Sequence, residues 1–350
     1  QVTGTVGFFH HQGCCQLPPD LDRVTETLIS LGCSPNVGAA LIVSLGCEGT
    51  DTERLYEMIR ATGKPVEIIR IQELGGVSAA IKAGIDAAQE LVMEISGMQR
   101  QAVDISRVTM SIKCGASDTT SGMASNCVIG YVADKLVDLG ATVVFGETTE
   151  FLGGEHLLAR RAVTLEVGQK ILDIVDRMEK RARSLGCDMR KGQPTPGNIA
   201  GGLSSIEEKS LGAIVKSGTR PIQGVLEYPE RIGERKGLWI KDTPGREPEI
   251  LTGMAATGAQ FMLFSTGRGA PQGFPTMPVL KICGNPNTYE RMQHDMDLNA
   301  GRIITGERSI EEVGEEAYAA VLALLSGRQT KNETLGYHSS IDIYTLGPVI

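Results

Sequence analysis

The strongest constraint on this chain is a repeated alternation of short apolar runs with amphipathic helical stretches. Ala39–Leu45 is continuously apolar but for Ser44, as a strand buried on both faces requires. Val66–Ile71, Val108–Ile112 and Ala141–Phe145 read as the next strands, and Thr5–Phe9 as a further one. Between them, Leu55, Met58 and Ile59 follow a Thr50-x-x-Glu53 capping box, and Val77, Ile81, Ile85 and Val92 share one face of a helix over 76–98. Helices over 21–31, 121–139 and two within 153–186 complete the first half. Strands alternating with helices predict an α/β chain with largely parallel, helix-covered sheets.

The segment Gly186–Gly202 (GCDMRKGQPTPGNIAGG) breaks the alternation with prolines, glycines and charges. It divides the chain into two expected α/β units, a Rossmann-like domain over 1–186 and a second domain over 187–350, and 350 residues suffice for two cores. Beyond it, Ser205-x-x-Glu208 caps a helix carrying Leu211, Ile214 and Val215 and closed by Gly218. Strands at 237–240, 261–265 and 279–283 follow, with helices at 249–258, 286–298 and 309–326. Gln1 stands where an initiator Met would, directly before the first strand, so upstream residues are expected.

Composition removes several classes of function. A net charge of −8 and 4% aromatics argue against nucleic acid, which wants a basic surface and stacking rings. No apolar run reaches membrane-spanning length and no signal peptide opens the sequence. Eight cysteines in a long acidic chain read as free thiols of a reducing, cytoplasmic compartment rather than a disulfide framework.

Reactive residues gather where the strands end. Thr5–Phe9 leads into His10-His11-Gln12-Gly13-Cys14-Cys15-Gln16, and 39–45 into Gly46-Cys47-Glu48-Gly49. Strand 108–112 leads into Lys113-Cys114-Gly115-Ala116-Ser117-Asp118, and 141–145 into Gly146-Glu147-Thr148-Thr149-Glu150. The carboxyl edge of an open parallel sheet is where ligands bind. Soft thiolates with carboxylates and histidines at one place suit iron or zinc; buried packing thiols are the other reading. His10 and His11 are candidate ligands or bases. Pro196–Gly202 runs into the capped helix at 205, and Ser265–Pro271 offers Arg268 as a bidentate carboxylate partner. Either segment could equally be a tight structural turn.

In order, HHQGCCQ, SLGCEG, KCGASDTTSG, GETTEFLGGEH, PGNIAGGLSSIEEKSLG, FSTGRGAPQG and DMDLNAGRIITGE resemble motifs of the altronate and galactarate dehydratases. The related sulfolactate sulfo-lyase large subunit shares them, and the resemblance runs from His10 to the C-terminus. It implies β-elimination from an acid: water from a sugar acid to give a 2-keto-3-deoxy acid, or sulfite from sulfolactate. It also implies iron or another divalent metal, and an oligomer with a separate small subunit of the antifreeze-like type. Ala116, Thr119 and Thr120 depart from the dehydratases' usual motif and lean toward the sulfo-lyases, whereas Arg268 leans back.

On that resemblance Cys14, Cys47 and Cys114, with Glu48, are expected to hold the metal, as Fe²⁺ or a three-cysteine [4Fe–4S] cluster. Oxygen-ligated Mn²⁺ or Mg²⁺ is the alternative. His10 or Glu150 would be the general base, with Lys113 a further catalytic candidate. Ser117, Asp118, Asn198 and Gly267 would contact substrate and Arg268 its carboxylate. The competing reading from another class is a non-catalytic sugar-acid-binding subunit.

Overall fold

In the computed structural model, which describes residues 2–338 and 341–348, the chain opens with α1 (Pro18–Gly32), β1 (Ala40–Ser44), α2 (Thr52–Arg60), β2 (Val66–Arg70) and α3 (Val77–Ile95). There follow β3 (Thr109–Gly115), α4 (Asn126–Asp138), β4 (Thr142–Phe145), α5 (Glu155–Arg160), α6 (Leu165–Ser184), α7 (Pro196–Ala200) and α8 (Ile206–Ile214). The chain continues through β5 (Ile222–Leu226), β6 (Gly237–Lys241), α9 (Glu247–Ala256), β7 (Phe261–Thr266) and β8 (Val279–Cys283). Last come α10 (Pro286–Arg291), β9 (Leu298–Asn299), α11 (Gly301–Ile304), α12 (Ile310–Leu325) and α13 (Lys331–Leu335).

Both sheets are parallel and helix-covered, as an α/β chain requires: β1 pairs with β2, and seven strands run in the order β5-β6-β4-β3-β7-β8-β9. Alternation along the strands splits the large sheet's side chains between two cores. Met110, Ile112, Val143, Phe145 and Leu263 face a core shared with α4, α6 and α12. Val144, Met262 and Phe264 face the opposite core, filled from α1 by Leu31 and from α9 by Ile250, Leu251 and Met254. Asn36, just past α1, donates to the carbonyls of Gln260 (2.8 Å) and Thr276 (2.9 Å), fixing the N-terminal unit to the large one.

Several expectations are corrected. Thr5–Phe9 forms no strand; Phe8 instead packs edge-on against Phe274, with ring centroids 6.0 Å apart. Asp51 rather than Thr50 caps α2, accepting from the Arg54 amide at 3.0 Å. β1 is not buried on both faces: Val43 and Leu45 are exposed, because a two-stranded sheet has too little breadth to be sandwiched. Val77, Ile81 and Ile85 of α3 are exposed as well. The helix turns its small residues inward, with Ala80 buried and Gly84 beside Ile69, since small side chains allow the closest approach to β1 and β2. Residue 186 lies inside the large unit, whose sheet takes β3 and β4 from before it and β5 to β9 from after it. Two-sheet organisation instead changes over between α3 and β3. Sequence periodicity missed β5, an edge strand interrupted by Gln223 and Gly224. Among the described residues no helix is long and apolar enough to cross a membrane.

α4 lies against the turn 215–217 at Gly130, where an added Cβ would sit 2.5 Å from the Val215 carbonyl oxygen. Backbone cannot swing aside as a side-chain tip can. Gly130→Ala gains about 1 kcal/mol of helix propensity, but overpacking of roughly 1–3 kcal/mol opposes it. Net destabilisation is expected, read as a lower urea midpoint at unchanged slope.

Candidate active site

Lys113 is the fifth residue of β3 and 1% exposed, in a strand buried along its whole length. A charge there must find a partner. It donates to Glu147 Oε1 (2.8 Å) and to the carbonyls of Cys114 (2.9 Å) and Gly245 (3.2 Å), which uses all three protons. Glu147, just past β4, also accepts from the Cys114 amide (2.9 Å) and from Lys216, whose ammonium in turn reaches Cys114 Sγ at 2.9 Å. Lys216 and Glu147 are equally enclosed. Burial alone would raise the Glu147 pKa, but the two ammonium charges outweigh it and hold the carboxyl down at about 2. Burial and the Glu147 charge push the Cys114 thiol up to about 11, so it stays protonated.

Glu147 adopts φ 69, and its amide donates to Thr243 Oγ1 at 2.8 Å. Gly146 before it is crowded by the Thr243 side chain and the Lys241 carbonyl, 2.4 and 2.9 Å from where a Cβ would be. The β4 turn is thereby pressed against the end of β6, aiming Glu147 back over β3.

The next residues open into a cavity of about 610 Å³ at the carboxyl ends of β3, β4 and β6. Its lining includes Lys113, Cys114 and Ser117 from β3 and its loop, Thr149 and Glu150 after β4, and Asn198 and Lys209. Glu150 Oε1 pairs with Lys209 Nζ at 3.1 Å; Oε2 is buried and has no partner among the described residues. Lys209 also donates to Gln193 Oε1 at 2.5 Å. Glycines permit this pairing: a Cβ on Gly154 would lie 2.5 Å from Ser210 Oγ and one on Gly153 3.1 Å from Glu207 Cγ, so α8 docks directly on the 148–154 turn. Arg246 stands at the rim, bonded to Glu249 and Asp342.

The structure therefore brings together Lys113, Cys114, Ser117, Glu150 and Asn198 of the expected site residues. Asn198 donates to the Ser117 carbonyl at 2.9 Å and closes the cavity wall. Asp118 is buried outside that wall, where it accepts from Thr120 (2.6 Å), Ser121 and Asn285 (3.1 Å). It holds these loops together. Gly267 is pressed against Asp118, 1.9 Å from where its Cβ would stand, and Arg268 is exposed with its guanidinium on the Gly197 carbonyl. Neither lines the cavity.

His10, Cys14, Cys47 and Glu48 also lie outside it. The Cys14 and Cys47 loops do meet, through the Gly49 amide and the Gly13 carbonyl at 2.7 Å, and His11 reaches the rim through Asp342 at 2.9 Å. Cys14 and Cys47 are exposed, Cys47 accepting from Gln72 at 3.3 Å, and Glu48 accepts from its own loop's Gly46 amide at 2.7 Å. Burial and the neighbouring His11 charge lower the His10 pKa. Among the described residues no three His, Cys, Asp or Glu side chains gather at metal-binding range. Cys114 Sγ is instead hydrogen-bonded by the Lys216 ammonium, with that of Lys113 on the Cys114 carbonyl, and two fixed cations oppose a metal ion at this sulfur. Cys114 does not fit the expected three-cysteine centre.

Sequence reasoning placed Glu147 at a strand end without giving it a role, and passed over Lys216 and Lys209. Lys216 carried one readable signal, a charge directly after the apolar Ile214 and Val215. Lys209 stood inside a motif noted only for its glycines and cap.

Comparison with known proteins agrees with this architecture. Residues 105–349 match the family described as D-galactarate/altronate dehydratase, C-terminal, and residues 1–96 match D-galactarate dehydratase/altronate hydrolase, second domain. The (2R)-sulfolactate sulfo-lyase subunit beta of Chromohalobacter salexigens is 39% identical over 97% of this chain and 87% of its own length. Galactarate dehydratase (L-threo-forming) of Escherichia coli is 34% identical over 93% of the chain and 63% of its own. Altronate dehydratase of Bacillus subtilis is 32% identical over 93% and 64% respectively. The chain thus spans less than two thirds of these two dehydratases.

Two measurements probe the site's construction. Glu147→Gln strands two buried ammonium groups and should cost about 3–5 kcal/mol in urea unfolding. In the wild type the Glu147 contribution is complete above its unfolded pKa of about 4.3 and lost as pH falls towards 2; the variant's acid profile should be flatter there. Ala116 adopts φ 48, left-handed backbone that favours glycine. Ala116→Gly should accordingly raise stability by up to about 1 kcal/mol.

Proposed function

The chain belongs to the D-galactarate/altronate dehydratase family, and we propose that it is a lyase eliminating water from a sugar acid to give a 2-keto-3-deoxy acid. One observation carries this reading: a shielded carboxylate, Glu150, with one oxygen on Lys209 and the other unpartnered, in a cavity of about 610 Å³ beside buried ammonium groups. Elimination next to a carboxylate needs a base for a weakly acidic α-proton and positive charge for the enolate that develops. Glu150 supplies the base. Lys113, held by three hydrogen bonds, supplies a charge that need not reorganise as the reaction proceeds.

The cavity is large enough for a six-carbon acid, with Ser117 and Thr149 on its lining available to hydroxyl groups. A second leaving group has its own support. The relative that shares 39% identity with nearly all of this chain is named a sulfolactate sulfo-lyase subunit. In that reading Glu150 takes the same proton and sulfite departs. That relative's designation as subunit beta also supports a separate partner subunit for this chain. A non-catalytic binding subunit would have no need of a buried base.

Purified protein, alone and co-expressed with a neighbouring small subunit, is to be offered altronate, galactarate and sulfolactate, scoring 2-keto acid and sulfite. Turnover of one of them is expected, with kcat falling about 10²–10⁴-fold in Glu150→Gln. Full activity in that variant removes Glu150 as the base; no turnover of any acid by either preparation removes the elimination reading.

A further inference from the structure

Hydroxide is a poor leaving group, so a dehydratase needs an acid as well as a base. We propose that Lys209 is that acid and that it works with Glu150 as a self-resetting pair, an assignment that rests on the elimination reading above. The buried lysines are unsuited to the task. All three protons of Lys113 are engaged, and Lys216 is sealed behind Cys114 and Glu147 with no exposed surface. Lys209 lines the cavity, and its two bonds, to Glu150 and Gln193, leave one proton for a third partner. Its side chain is 10% exposed and that of Glu150 13%, so both are reachable from the cavity while largely withdrawn from bulk water.

The protons and electrons balance within the pair. Glu150 carboxylate takes the α-proton, and the electrons of that C–H bond form the carbon–carbon double bond. The β-carbon–oxygen bond breaks with its electrons on oxygen, and the departing hydroxide receives a proton from the Lys209 ammonium and leaves as water. Glu150 is now a carboxylic acid and Lys209 a neutral amine. Across their 3.1 Å contact the acid returns its proton to the amine, restoring the starting state without any outside proton. The released enol becomes the 2-keto acid by tautomerisation. Sulfite leaves as a stable anion and asks much less of an acid, so dependence on Lys209 should track the leaving group.

The test compares the panel acid that wild type dehydrates with its 3-deoxy-3-fluoro analogue, whose fluoride departs unprotonated. Lys209→Met should lose about 10²–10⁴-fold in kcat on the hydroxy acid, the usual worth of a general acid, but keep turnover of the fluoro compound. Lys209→Arg keeps the charge beside Glu150 yet gives up its proton far less readily. It should show the same split, guarding against a merely disturbed base. Glu150→Gln should lose both substrates. If both Lys209 variants fold and lose both substrates equally, Lys209 only positions Glu150 and the proposal fails, with the elimination reading intact. A wild type inert towards both compounds overturns the elimination reading itself.

Discussion

Glu147 bridging Lys113 and Lys216 is the interaction on which the rest of the site depends. Three charges are withdrawn from water at the meeting of β3, β4 and the turn after α8, and each would be costly alone. A replacement by apolar residues of similar volume could be as stable, so stability alone does not account for the cluster. What it achieves is geometry. The carboxylate accepts from a β3 side chain, a β3 amide and the 215–217 turn at once. That fixes the loop after β4 in a left-handed turn at φ 69 and so fixes where Glu150, three residues on, enters the cavity.

Close approach without side chains does the complementary work on the other wall. Gly153 and Gly154 let α8 settle on the loop that the triad has fixed, delivering Lys209 to Glu150. Gly115 allows a similar approach, with the Glu247 carboxylate 2.6 Å from where its Cβ would be. A reactive carboxylate, its ammonium partner and the cavity wall are thus located by backbone contacts and buried charge, which hold position better than long exposed side chains.

This division explains what could be read from the sequence. The large sheet's strands at 109–115, 142–145, 261–266 and 279–283 were legible because burial on both faces leaves short runs rich in apolar residues. Glu150, Lys113 and Cys114 were legible because they follow or end such strands. Partnerships across the fold were not: Lys113 and Glu147 stand 34 residues apart, Lys216 and Cys114 102, and no local period encodes either pairing. The same limit applies to Cys14 and Cys47, whose strand ends looked equivalent to that of Cys114 but lie outside the cavity. Thr5–Phe9 is not a strand, and β1 belongs to the separate two-stranded sheet. Asp118 and Arg268 have the chemistry of substrate ligands, but their partners are loop atoms.

The protonation state of Cys114 then acquires a meaning beyond packing. Lys113 and Lys216 oppose Glu147 around it, two positive charges against one negative, while Lys209 and Glu150 balance each other, which leaves one positive charge. A thiolate at Cys114 would cancel it. Burial, by keeping the thiol neutral up to about 11, preserves the excess. At roughly 6 Å and an effective dielectric of about 20, one unit charge is worth about 3 kcal/mol to an arriving carboxylate or a forming enolate. A neutral thiol accepting from Lys216 thereby satisfies a buried ammonium without spending the charge that an anionic substrate would meet.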